Sequence, residues 1–194
     1  PKVLVNGSAV GYYGHVEVGD VTETHPKGVG FLPDLCVEWE QEARTAESLG
    51  VRVVMLRTGI VLEQDGGALA KMLLPFKLFL GGPIGSGRQW FPWVHREDVV
   101  RIVMFALENS NLSGPVNVAA PESVNMKQFC AGLGKALGRP SWMPVPPFTL
   151  RLAFGEMSEM LLTGQRMVPS KLLQSGFSFR FPQLESALSD IVGK

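Results

Sequence analysis

Apolar positions along the chain fall into two alternating rhythms. Residues 3–5 form a short β-type run that breaks at Asn6-Gly7-Ser8, and residues 51–62, VRVVMLRTGIVL, form a near-continuous β-branched run between Gly50 and Gly66-Gly67. Such a run suits a central parallel strand covered by helices on both faces. Between these two runs, Leu35, Trp39, Ala43, Ala46 and Leu49 recur at three- and four-residue steps, which predicts a helix from Asp34 that ends at Gly50. The same reading predicts helices over 68–80 and 96–108 and a third strand over 115–119. Strands alternating with helices in this way specify an α/β sheet with right-handed crossovers.

Beyond Ala120 the character changes. A helix is predicted over 125–137, with Ser123 or Asn125 as its N-cap, followed by the Pro-rich connection SWMPVPPF. A helix over 148–162 comes next, then a short helix, a strand and a final helix. The chain therefore divides into residues 1–120, a layered sheet, and residues 121–194, a smaller and mostly helical lobe, with the loop 81–95 between them. Because the chain opens at Pro1 inside an apolar run, a preceding portion is expected.

Composition narrows the function classes. With 194 residues, 45% of them hydrophobic, the chain can bury a sizeable core. Lys plus Arg, 18, equals Asp plus Glu, 18, so no excess of positive charge points to nucleic acid or an anionic membrane. Lys71 and Lys77 interrupt the longest apolar candidate, so no membrane span is expected. Cys36 and Cys130 lie far apart among helix-patterned residues, which fits two buried thiols in the cytoplasm or the reducing interior of an organelle. No metal-ligand spacing is present.

The loop GGPIGSGRQWFPWVH, residues 81–95, carries the densest chemistry. It is not a dinucleotide fingerprint, since Gly85 and Gly87 are followed by Trp90 where a third glycine is needed and a helix precedes them. Trp90, Phe91 and Trp93 with Arg88 can line a pocket for a planar ligand, or can form a buried hinge between the lobes. His95 with Asp98 reads as a base and its orienter, or as a helix start with its first-turn acid. Ser8 lies just past a strand end, where open α/β sheets place their ligands, and otherwise is a serine in a turn. His15 and His25 stand alone in loops.

Taken together, NGSAVGYYG (6–14), LCVEWE (35–40), LRTGIVL (56–62), GGPIGSGRQWFPWVHREDVV (81–100), GPVNVAAP (114–121) and GQRMVPSKLL (164–173) resemble the extended short-chain dehydrogenase/reductases. The likeness is to the atypical epimerase-like family, members of which have been described as cell-division inhibitors. It implies the later strands of a Rossmann-like sheet, NADP(H) as cofactor and a small-molecule substrate. Ser8 would be the active-site serine, and Thr58, Gly59, Ile60 and Val61 would face the nicotinamide. Arg88, Gln89, Trp90, Trp93 and His95 would form the substrate side. Two departures stand out. Leu35 and Trp39 replace the Tyr-x-x-x-Lys pair that relays the proton in redox members, leaving Tyr13, or its neighbour Tyr12, as the substitute phenol. Phe91-Pro92 replaces an Arg-Asp that contacts a sugar-nucleotide diphosphate.

Two readings follow. One is an NADP(H)-dependent oxidoreductase or epimerase-like enzyme. The other is a catalytically silent dinucleotide-binding or regulatory module that acts through a protein partner.

Overall fold

The computed structural model describes residues 1–146 and 162–193. At its centre lies β3 (Arg52–Thr58), flanked by β1 (Val3–Ala9) and β7 (Gly114–Val118) in a three-stranded parallel sheet of order β1-β3-β7. Side chains on a strand alternate between faces, and β3 divides its apolar residues accordingly. Val53 and Met55 pack with Ala43 and Ala46 on one side, while Val54 and Leu56 pack with Ile102 and Ala106 on the other. The first layer is α1 (Phe31–Arg44) with the tight 3-10 turn Thr45–Leu49, and the second is α3 (Arg96–Glu108). This is the α/β architecture with a parallel sheet that the alternating pattern predicts.

Three local readings are corrected. β1 does not stop at Val5. Its parallel ladder to β3 runs on to Ala9 opposite Thr58, so strand pairing overrides the turn signal of Asn6-Gly7-Ser8. The apolar run 51–62 is two strands. β4 (Ile60–Leu62) leaves the central sheet and pairs in parallel with β6 (Trp93–His95). The handover happens at Gly59, whose N–H donates to Val118 O while that of Ile60 donates to Pro92 O. A Cβ at Gly59 would lie 2.3 Å from Pro92 O, so glycine is required there. Third, α1 begins at Phe31 and is turned relative to the predicted face: Pro33, Cys36, Glu40 and Ala43 are buried, whereas Trp39 is 54% exposed.

The remaining elements close around the end of the sheet. α2 (Gly67–Lys77) follows β4, and α3 has the predicted bounds. α4 (Met126–Leu137) is started by a capping box in which Asn125 and Gln128 bond reciprocally, which decides the N-cap for Asn125. β5 (Trp90–Phe91) pairs antiparallel with β8 (Val124–Asn125), and β2 (Asp20–Val21) pairs in parallel with β9 (Arg166–Met167). The helices α5 (Ser170–Gln174) and α6 (Leu184–Ile191) end the chain. No strand forms between them. Instead the N–H groups of Arg180 and Phe181 donate to the two carboxylate oxygens of the fully buried Asp98. Most of the helix predicted over 148–162 lies outside the described residues.

One core cluster runs through the position of the expected division at residue 120. It joins Leu62, Leu69, Phe76 and Trp93 to Phe129, Leu133 and Leu188. Among the described residues, no helix is long and apolar enough to cross a membrane.

Candidate functional site

Strand register places three polar side chains in one row. Ser8 is paired with Arg57, and Arg57 with Asn117, across β1, β3 and β7 near the C-terminal end of the sheet. The row lies on the face covered by α1, and all three residues are buried. A guanidinium in such a place requires a partner. Glu40 supplies it as a two-pronged pair, receiving Arg57 Nε on Oε1 at 2.7 Å and Nη2 on Oε2 at 2.8 Å. Ser8 Oγ donates to the same Oε1 at 2.8 Å. The Tyr12 ring lies beneath the guanidinium, 3.3 Å from Cζ to centroid. Burial by itself would lower the Arg57 pKa, but the hydrogen bonds to Glu40 and Tyr13 outweigh it and hold the group above its ordinary range.

Tyr13 completes the row. Its hydroxyl donates to Asn117 Oδ1 at 2.6 Å and accepts from Arg57 Nη1 at 3.0 Å. The Asn117 amide donates to Val21 O and Val168 O, and its backbone N–H donates to Glu23 Oε1, which also accepts from Lys171 N. Burial pushes the Tyr13 phenol up to about 12, against the opposing pull of Arg57. A phenol so placed holds its proton at neutral pH and ties loops to the sheet.

The structure also moves the site of the missing pair. Leu35 and Trp39 do not face the end of β1. The α1 face that does carries Leu32, Cys36 and Glu40: Leu32 and Cys36 pack against Gly11, and Cys36 Sγ lies 3.9 Å from Ala9 O. A Tyr-x-x-x-Lys pair aimed at Ser8 would stand at Leu32 and Cys36. Leucine cannot titrate, and burial pushes the Cys36 thiol up.

Beyond this row a cleft opens between the sheet end and the C-terminal segment. Val10, Ile60, Trp90, Phe91, Pro92 and Met126 wall it, with Thr163, Gly164 and Gln165 along one edge. The buried Gln165 amide donates to Val10 O at 2.8 Å, pinning that edge to the turn after β1. Gly164 approaches so closely that a Cβ there would lie 2.0 Å from Trp90 O.

The residues predicted for the substrate side divide. Trp90 lines the cleft, with Arg166 Cζ 5.4 Å from its ring centroid. Gln89 is buried and donates to Ile84 O, so its amide serves the loop. Arg88 is exposed. Trp93 is 1% exposed, belongs to the main core and donates Nε1–H to Glu122 O, which fits the hinge reading of the aromatic loop. His95 packs on Phe181 at 3.9 Å between ring centroids, away from the cleft. Its Nδ1 accepts from Glu97 N and caps α3. Of the expected nicotinamide-facing residues, the N–H groups of Gly59 and Ile60 are spent on Val118 and Pro92, and the Thr58 hydroxyl donates to Leu56 O. Ile60 and Val61 offer half-buried apolar surface.

His95 yields a pH prediction. Burial lowers its pKa below the ordinary value, against the raising influence of Asp190, Asp98 and Glu97. Protonation puts a hydrogen on Nδ1 and removes the acceptor that caps α3. With the folded pKa below the unfolded one, the stabilisation is present above about pH 6.5 and is lost as pH falls through and below it. Urea midpoints are expected to drop between pH 7 and pH 5, and less steeply in His95→Asn, which keeps a capping acceptor. Equal slopes in the two proteins would remove His95 from the effect.

Glu40, Arg57, Glu23, Asn117 and Gln165 escape a sequence reading built on motifs. The available signal is a charge inside a strand that is otherwise apolar, Arg57, and a carboxylate on the helix beside it.

A parallel sheet with helices on both faces and a cleft at its C-terminal end defines a Rossmann-like α/β protein. A family model described as a domain of unknown function, DUF1731, matches residues 145–191. The Arabidopsis thaliana epimerase family protein SDR39U1 homolog, chloroplastic, is 44% identical over 192 residues, which are 99% of this chain and 55% of that protein. The human epimerase family protein SDR39U1, solved with NADPH, superposes with a TM-score of 0.90 at 37% identity, over 98% of this chain and 65% of that one. A nucleoside-diphosphate sugar epimerase from Corynebacterium glutamicum superposes at 0.77 with 30% identity, over 99% and 38%. The chain belongs to this epimerase family, an atypical extended branch of the short-chain dehydrogenase/reductases. It spans just over half the length of the Arabidopsis relative and about two-thirds of the human one.

Proposed function

We propose that this protein is an NADP(H)-dependent oxidoreductase of epimerase-like type whose small-molecule substrate lies in the cleft walled by Val10, Ile60 and Trp90. The observation that carries this reading is the cleft itself, opening at the C-terminal end of a parallel sheet, where α/β folds seat their ligands. The NADPH named for the human relative supports the choice of cofactor.

When bound, the dinucleotide supplies hydride chemistry. The chain's own residues bind and orient. Ile60 and Val61 present apolar surface at the end of β3 and β4 rather than amide donors. Ser8 is fixed by Glu40, and Tyr13 and Cys36 both keep their protons. In this reading Ser8 acts as a positioning residue. The proton that accompanies hydride transfer does not come from a phenol-lysine pair on α1.

Calorimetric titration of the longest natural form with NADPH and with NADH tests the reading. Saturable binding with preference for NADPH is expected. A well-folded protein that binds neither overturns it.

A further inference from the structure

The reading above leaves the substrate's chemistry open, and the walls of the cleft narrow it. We infer that the cleft takes an uncharged, flat apolar compound and rejects nucleoside-diphosphate sugars, a substrate class that rests on the function proposed above.

Four observations converge. Among the described residues, Val10, Ile60, Trp90, Phe91, Pro92 and Met126 line the cleft beside Thr163, Gly164 and Gln165, so its lining is predominantly apolar and carries no charged side chain. A diphosphate needs fixed donors or a guanidinium fork. At the place where the resemblance implies an Arg-Asp, the chain has Phe91-Pro92. Phe91 is buried against Phe129, 4.2 Å between centroids, so that position is committed to the core. The guanidinium stacked near Trp90, Arg166, is already paired with Asp20, Nη1 to Oδ1 at 3.1 Å. Binding a phosphate there would break that pair or bring a carboxylate beside the anion.

The backbone of the aromatic strip is also fixed from two sides. Gly59 meets Pro92 O and Gly164 meets Trp90 O at distances that no Cβ could tolerate. The wall is therefore preformed, and the half-buried indole of Trp90 is held for stacking on a planar ligand. A flat aromatic ring that stacks on this indole fits the lining better than a sugar bearing two phosphates.

The test uses the longest natural form with saturating NADP+, N-phenyl-1-naphthylamine as a neutral fluorescent probe, and UDP-glucose as competitor. The expected result is saturable probe fluorescence that millimolar UDP-glucose leaves unchanged. Val10→Trp, which fills the cleft, should weaken the probe by at least about tenfold while the thermal transition stays in place. Ile60→Phe is the second blocking variant should Val10→Trp fail to fold. Competitive displacement by UDP-glucose overturns the inference. So does probe binding that a folded blocking variant leaves unaltered, or no probe binding at all to a protein that binds NADP+. Failure to bind NADP+ or NADPH sinks the underlying functional reading instead.

Discussion

Trp93→Ala is expected to unfold the protein at temperatures where the wild type is stable, rather than to weaken a ligand selectively. Its indole is among the largest fully buried side chains and lies in the cluster that joins α2, α4 and α6. Truncating a core tryptophan costs about 3–5 kcal/mol in lost burial and cavity. The Glu122 carbonyl loses its donor as well. Because whole domains are stable by only about 5–15 kcal/mol, the loss takes a large share of the total. Denaturant unfolding followed by circular dichroism measures it. An unchanged midpoint with selective loss of cofactor-dependent ligand binding would return Trp93 to the substrate wall.

The second large effect belongs to the buried ion pair. Removing one partner, as in Glu40→Leu or Arg57→Met, strands a charge inside the sheet-helix interface and is expected to cost about 3–5 kcal/mol. Arg57→Met also strips a donor from the Tyr13 oxygen, and Glu40→Leu strips the acceptor from Ser8. The double variant Glu40→Leu/Arg57→Met, which removes both charges, should be more stable than the sum of the single losses implies. Urea midpoints of the four proteins decide the matter. Strict additivity would mean that the pair, despite its 2.7 and 2.8 Å bonds, is not energetically coupled.

The layered architecture was open to sequence reasoning because it rests on strong, local signals. The bounds of α3 follow from an apolar stripe with acids in its first turn, and the start of α4 from a choice of two N-caps, Ser123 or Asn125, which the structure settles on Asn125. Composition could not divide residues 51–62, since the break at Gly59 depends on Pro92, between β5 and β6, and on Val118 at the end of β7, both far along the chain. The face of α1 was misjudged for a related reason. Hydrophobicity favours burying Trp39, but the buried Arg57 needs a carboxylate, and Glu40 is turned inward to meet it. The cleft was legible through Trp90. The segment that abuts Trp90 there, Gly164 and Gln165, lies 74 and 75 residues beyond that tryptophan and shows no spacing that ties the two together.

Glu23 sets a timetable for folding. One of its carboxylate oxygens accepts from the N–H groups of Asn117 and Lys171, partners 94 and 148 residues downstream. At about 5–20 residues per second on the ribosome, on the order of ten seconds separates the synthesis of Glu23 from that of its last partner. Arg57, whose Nη1 donates to Glu23 O, and Asn117 are synthesised first, so the Lys171 N–H is the last of these donors to reach the loop. The β2-β9 pair thus needs a strand, Arg166–Met167, that is synthesised after every strand of the central sheet and both of its helical layers.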